Sequence, residues 1–97
     1  MIPNTIVILH KTPKRIEPGA DKIIWEHGRR NFELRRDGKL CVVCPISDEN
    51  EVGGIGVFLT HEEETRRIME NDPAVKAEIF TFEIRPTRSF PGDALAK

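Results

Sequence analysis

The chain has 97 residues, a length typical of one compact domain, and no shift in composition divides residues 1–97 into two parts. Its 15 basic and 16 acidic residues are interleaved and leave a formal net charge of -1, which argues against a nucleic-acid-binding protein. No apolar run reaches the roughly 18 residues of a membrane-spanning helix, and the first residues lack the pattern of a signal peptide, so we expect a cytoplasmic protein.

The first half of the chain predicts a strand, a helix and a second strand. The run Thr5–His10 is apolar and β-branched, as expected of a buried strand. The pattern of Asp21–Asp37 is helical, with Asp21 as a candidate N-cap and Gly38 at the position where helix C-termini favour glycine. Leu40–Ile46 then predicts the second strand.

Two cysteines lie inside this second strand. Cys41 and Cys44 have the Cys-x-x-Cys spacing of some zinc and redox sites. Strand side chains alternate between faces, so positions three apart point to opposite sides, and neither a disulfide nor a shared metal is easy to form. We expect two buried free thiols.

The second half predicts a strand, a helix and a final strand. Ile55–Leu59 forms the third strand, and Thr60–Glu63 has the S/T-x-x-E form of a capping box that starts the second helix. This helix inserts Met69 into the core as a packing residue and ends near Asn71. Residues Glu78–Arg85 alternate and predict a fourth strand with one drier face. The side chains on that face are Phe80, Phe82 and Ile84.

The order βαββαβ predicts an α+β fold of the ferredoxin-like type, with one antiparallel sheet and both helices on one side of it. The other side of the sheet needs a cover. A domain this short buries only about two-thirds of its unfolded surface, so a second copy is a natural supplement. Two such sheets packed face to face form a dimeric α/β barrel, and we therefore expect a homodimer.

Several other chemistries find no support in the sequence. The run Gly53–Gly56 precedes a strand instead of joining a strand to a helix, which argues against a phosphate-binding loop. The three histidines His10, His27 and His61 lie on separate predicted elements without short ligand spacing. No P-loop or nucleophile elbow appears. We therefore expect neither a metal nor a cofactor.

The histidines differ in their predicted surroundings. His27 lies on the inward face of the first helix, between Ile24 and Leu34. A histidine on an apolar face is more often a satisfied core residue than a catalyst, so the residues alone leave both interpretations open. His61, in the first turn of a charged helix, is expected to be exposed. His10 ends the first strand and is equally compatible with lining a pocket or capping the sheet.

Segments spread over nearly the whole chain form a recognisable pattern. They are Ile8–Pro13, the pair His27 and Gly38, Cys44–Ile46, Asn71–Phe80 and Phe82–Pro86. Together they resemble the YCII-related family. The most specific stretch contains Asp-Pro-Ala-Val-Lys-Ala and is similar to the family's Asp-Pro-Phe-Val-Lys-Ala, whereas Cys-Pro-Ile departs from the family's Gly-Pro-Leu.

This resemblance implies a His–Asp pair in a pocket, here His27 and Asp72. A carboxylate that accepts a hydrogen bond from one imidazole nitrogen fixes the tautomer and raises the basicity of the other nitrogen. His27 would then be the general base and Asp72 the residue that orients it. The residues expected to line the pocket and bind substrate are His10, Pro45, Ile46 and Lys76. An ammonium group four residues after Asp72 would be placed to hold a phenolate or quinone oxygen.

The resemblance also implies a reaction class and a partner. The partner is a small hydroxylated or quinoid aromatic molecule, and the reaction is a proton transfer, either elimination by a lyase or isomerisation, that needs no metal or cofactor. Dehydrochlorination of a chlorinated hydroxyhydroquinone to a hydroxyquinone is the specific expectation. The alternative is a module of the same fold that binds a small ligand or a partner protein without catalysis.

Overall fold

A computed structural model of the chain describes residues 3–93. Met1 and Ile2, part of the segment that lacks a signal-peptide pattern, lie outside the described residues. The elements are β1 Pro3–Lys11, a 3-10 turn Pro13–Ile16, α1 Ala20–Arg36, β2 Leu40–Pro45, β3 Val52–Phe58, α2 Glu62–Glu70, α3 Pro73–Lys76 and β4 Phe80–Arg88. Within residues 3–93, no helix is both long enough and apolar enough to cross a membrane.

The four strands form one antiparallel sheet in the order β2-β3-β1-β4. This order and the position of the two long helices confirm the predicted α+β, ferredoxin-like arrangement. Side chains alternate along β1, so Val7 and Leu9 face the helices while Ile6, Ile8 and His10 face the other side.

The core lies between the helices and the inner face of the sheet. Its main cluster contains Val7, Leu34, Leu40, Phe58, Ile68 and Met69, and Phe82 and Ile84 of β4 pack against it. Burying a large aliphatic or aromatic side chain contributes about 1.5–3 kcal/mol. Met69 is 4% exposed, so its predicted packing role is confirmed.

Both long helices begin differently from the sequence prediction. The N-cap of α1 is Gly19, whose φ of 89° lies in the left-handed region that favours glycine, and Asp21 occupies the first turn instead. There its carboxylate interacts favourably with the helix dipole. The N-cap of α2 is His61, and the Thr60 hydroxyl lies 2.6 Å from the Thr65 hydroxyl. The predicted capping box is therefore not formed.

A β-bulge lies in β2 between Leu40 and Val42, where the pairing with β3 shifts by one residue. Cys41 is half-buried, and its thiol donates to the Val57 carbonyl at 3.2 Å. Burial raises the pKa of this thiol. Cys44 pairs with Ile55 and is exposed. Both thiols are free as predicted, but the prediction that both are buried is wrong: Cys41 is only half-buried, and no layer of the described chain covers the face on which Cys44 lies.

His10 lies between two carboxylates on the side of the sheet away from the helices. Its Nε2 lies 2.6 Å from Glu83 Oε1, and its Nδ1 lies 2.8 Å from Glu51 Oε2. The hydrogen bond with Glu83 is the largest influence that raises the pKa of His10, while burial opposes it. The same bond lowers the pKa of Glu83, which Arg85 also contacts at 3.3 Å.

We expect His10→Gln to reduce stability more near pH 6 than near pH 9. Because folding raises the pKa of His10 above 6.5, its contribution is complete below that value and is lost as the pH rises through the raised pKa. The contribution of Glu83 is present above its ordinary value of 4.5 and is lost on further acidification. Urea denaturation at both pH values measures the difference, with the exposed His61→Gln as the control. Equal losses at the two pH values would contradict the assignment.

Candidate active site

Asp72 lies between two helices and starts the second one. α2 finishes at Glu70, and Asp72 then acts as the N-cap of α3. Its Oδ2 accepts hydrogen bonds from the amides of Ala74 at 2.9 Å and Val75 at 3.3 Å. Aspartate is a favoured N-cap and proline a favoured first residue, so the Asp-Pro pair starts a helix here as well as stopping one.

The other carboxylate oxygen of Asp72 contacts His27 of α1. Asp72 Oδ1 lies 2.7 Å from His27 Nδ1, within hydrogen-bond distance. The Asp72 side chain is 1% exposed and that of His27 is 13% exposed, so water competes little with this contact. An ionised carboxylate only accepts hydrogen bonds, which makes Nδ1 the donor. Nε2 is then the nitrogen that can accept a proton.

Arg30 lies beside His27 and Asp72 and forms an ionic group with them. The sequence did not predict its role. Arg30 follows His27 by three residues, a spacing that puts both side chains on one side of α1. Its Nη1 is buried 3.6 Å from Asp72 Oδ1 and makes no hydrogen bond to the described residues. A buried carboxylate needs compensating charge and hydrogen bonds. Asp72 obtains them from Arg30, His27 and two backbone amides.

A cavity of about 680 Å³ opens between α1 and the inner face of the sheet, and His27 lines it. The Phe80 ring, whose centroid is 5.6 Å from that of His27, forms part of the same wall. Most of the lining is apolar. The apolar side chains include Val7, Leu9, Ile24, Leu40, Val43, Phe58, Met69 and Phe80. The cavity therefore combines one basic nitrogen with walls suited to an apolar ring.

The predicted pocket residues divide into two groups. Pro45 and Ile46 line the cavity with His27. His10 and Lys76 do not, and for them the prediction is corrected. His10 lies on the opposite side of the sheet because strand side chains alternate, and Lys76 is an exposed residue in the last turn of α3.

Sequence reasoning also missed residues of the cavity. Gly54 and Gly56 line it from β3, and Asn31 lines it from α1, one turn after His27. In the sequence, the glycine run resembles only a phosphate-binding loop and gives no sign of a cavity wall. The available signal for Asn31 was its position on the same face of the helix as His27.

No family model and no curated protein matches the chain. Among solved structures, the chain is similar to 5-chloro-2-hydroxyhydroquinone dehydrochlorinase (TftG) from Burkholderia phenoliruptrix AC1100, in complex with 2,5-dihydroxybenzoquinone. The TM-score is 0.58 and the identity 20%, over 92% of this chain and 95% of the other. This similarity shows a related fold, and membership of the YCII-related family stays a prediction from the sequence motifs.

Proposed function

We propose that the protein is a metal-free, cofactor-independent enzyme that transfers a proton from a small hydroxylated aromatic molecule. The observation that carries this proposal is the 2.7 Å contact between His27 and Asp72 at the wall of an apolar cavity. A ring that enters the cavity exchanges water for apolar walls and brings its hydroxyl groups to the imidazole. The similarity in fold to a dehydrochlorinase is consistent with such a ligand.

The proposed chemistry assigns one task to His27 and one to Asp72. His27 Nε2 removes a hydroxyl proton from the ring, as a general base does. Asp72 holds the imidazole through Nδ1 and stabilises the imidazolium that forms. The backbone amides of Ala74 and Val75 hold Asp72 in turn, at 2.9 Å and 3.3 Å.

Dehydrochlorination of a chlorinated hydroxyhydroquinone is the specific reaction that we propose. After one hydroxyl proton has passed to His27, a second hydroxyl proton moves to the chlorine-bearing carbon as the ring tautomerises, and chloride then leaves with the electrons of the carbon–chlorine bond. The substrate loses one proton and one chloride in total and becomes a hydroxyquinone. The balance requires no oxidant, because loss of HCl alone accounts for the change.

The test is turnover of 5-chloro-2-hydroxyhydroquinone by protein that has been exhaustively treated with a chelator. We expect equal amounts of chloride and hydroxyquinone above the spontaneous rate. Activity that disappears on chelation and returns with a metal would contradict the metal-free mechanism. Absence of turnover, with the protein folded, would contradict the enzymatic proposal.

The second candidate function is binding of a small ring without turnover. It is favoured by the N-cap bonds of Asp72, which stabilise α3 whether or not the protein is an enzyme. Calorimetry with 2,5-dihydroxybenzoquinone separates the candidates when it is combined with the chloride assay. Affinity without chloride release identifies a binding module.

We further propose that the protein is a homodimer formed through the open sheet face, which we define as Ile6, Ile8, Ile55 and Val57. Strand alternation puts these side chains opposite the helices, and Ile55 is 36% exposed. A contiguous apolar surface of this kind commonly marks an interface. The ionic group of His10, Glu51 and Glu83 lies on the same side of the sheet.

Light scattering at micromolar concentration is expected to give twice the monomer mass. Ile55→Glu should produce monomers, because it adds a charge to the apolar face. The matched control is Phe32→Glu, at a position on α1 that is 73% exposed, and this variant should remain dimeric. A monomeric mass for the unaltered protein would refute the dimer.

A further inference from the structure

The strand β3 presents glycines to the cavity where other strands present side chains. Gly54 pairs with Leu9 and Gly56 pairs with Val7, so both glycines lie on the inner face of the sheet. Both line the cavity. In a strand, glycine is less favourable than alanine by about 0.5–1 kcal/mol, so these glycines have a cost.

Neither glycine is required by local packing. A Cβ atom at Gly54 would meet only backbone atoms of β2, at 3.4 Å and 3.7 Å. A Cβ atom at Gly56 would lie 3.5 Å from Leu40 Cδ1 and 3.5 Å from Phe58 Cε1. These are ordinary van der Waals contacts, and neither glycine has a positive φ. The effect of the two glycines is therefore that β3 adds no side chains to the cavity at these two positions.

Asn31 faces the cavity from the helix side. It lines the cavity one helical turn after His27, and its carboxamide makes no side-chain hydrogen bond among those formed within residues 3–93. Side chains at i and i+4 have Cβ atoms about 6 Å apart. Opposite oxygens of a six-membered ring are separated by a similar distance.

We propose that Gly54 and Gly56 form a floor for one flat ring, with one ring oxygen at His27 and a second at Asn31. The ligand class is then a planar six-membered ring with two oxygen substituents. Hydroquinones and hydroxyquinones belong to this class. The inference rests on the proposed function for the position of the ring at His27, and it assigns specificity to residues outside the His–Asp pair.

Substituting larger residues for Gly56 tests the proposed glycine floor. We expect Gly56→Val to weaken binding of 2,5-dihydroxybenzoquinone by about tenfold or more, and Gly56→Ala to weaken it by less. Calorimetry gives the affinities, and thermal unfolding shows whether each variant is folded. Thr81→Val, on the other side of the sheet, is the matched control. If Gly56→Val is folded and its affinity is unchanged, the proposed floor is wrong. If Gly56→Val does not fold, the double variant Gly54→Ala/Gly56→Ala is measured instead, and unchanged affinity in it would equally contradict the floor.

The contact with Asn31 is tested by comparing two rings. We expect Asn31→Leu to weaken binding of hydroquinone by about tenfold, because a buried hydroxyl loses its partner. Phenol has one oxygen, which we expect at His27, so its affinity should not change. Equal losses for the two rings, or no loss for either, would overturn the role of Asn31.

The experiments separate this inference from the proposed function. If the glycine and Asn31 variants lose affinity but the unaltered protein releases no chloride, the inference stands and the enzymatic proposal fails. If chloride release is observed and Gly56→Val binds and reacts like the unaltered protein, the inference fails and the enzymatic proposal stands.

Discussion

Replacing Asp72 by alanine is expected to lower the free energy of unfolding by about 3 kcal/mol or more. The side chain is 1% exposed and accepts bonds from His27 and from the amides of Ala74 and Val75. Alanine would remove the N-cap of α3 and leave the guanidinium of Arg30 without its facing charge. Urea denaturation measures the loss.

Two further variants control this prediction. Asp72→Asn keeps a good N-cap oxygen but removes the charge, so it should lose about half as much stability as Asp72→Ala. Asp21→Ala alters a carboxylate that is 94% exposed, and it should change stability by no more than about 0.5 kcal/mol. If Asp72→Ala is as harmless as Asp21→Ala, the buried network does not stabilise the fold as described.

The strands and long helices could be predicted because hydrophobic periodicity is visible over their lengths. β4 is the clearest case, since Phe80, Phe82 and Ile84 alternate with polar residues and pack on the inner side. α3 could not be predicted in this way. It has four residues, too few for a periodic pattern. The bulge beside Cys41 was also invisible, because a bulge is a property of two paired strands.

The candidate site was partly accessible from the sequence. His27 and Asp72 are 45 positions apart, and only the family resemblance associated them before the structure placed them 2.7 Å from each other. The misplacement of His10 has a physical reason. Both faces of β1 are apolar, with Val7 and Leu9 on one side and Ile6 and Ile8 on the other, so alternation alone does not show which face meets the helices.

The role of Gly54 and Gly56 in the cavity could not be predicted from the sequence for a different reason. A glycine in a strand can be recognised as part of a cavity only when the element that faces it is known. Here that element is α1, which contributes His27 and Asn31 to the lining. The sequence predicts Lys76 in the pocket only from its spacing of four residues after Asp72. A spacing of four residues indicates proximity within one helix, but it does not show on which side of that helix the cavity lies.

His27→Ala is expected to reduce kcat for chloride release by about 10²–10⁴-fold, the usual contribution of a positioned general base. KM should change much less, because the apolar walls and the glycine floor remain. His27→Gln is the stricter variant. Its amide can still donate to Asp72, yet it cannot accept a proton at neutral pH, so it should be as inactive as His27→Ala while retaining more stability.

Two results would strengthen the assignment of His27, and one would remove it. Added imidazole should partly restore turnover by His27→Ala, because the cavity left by the side chain admits a free base, and it should not restore His27→Gln, in which the space is occupied. His61→Gln, at an exposed N-cap, should keep full activity. If both His27 variants turn over the chlorinated ring near the unaltered rate, proton removal occurs elsewhere, and the cavity is better described as a binding site for the ring.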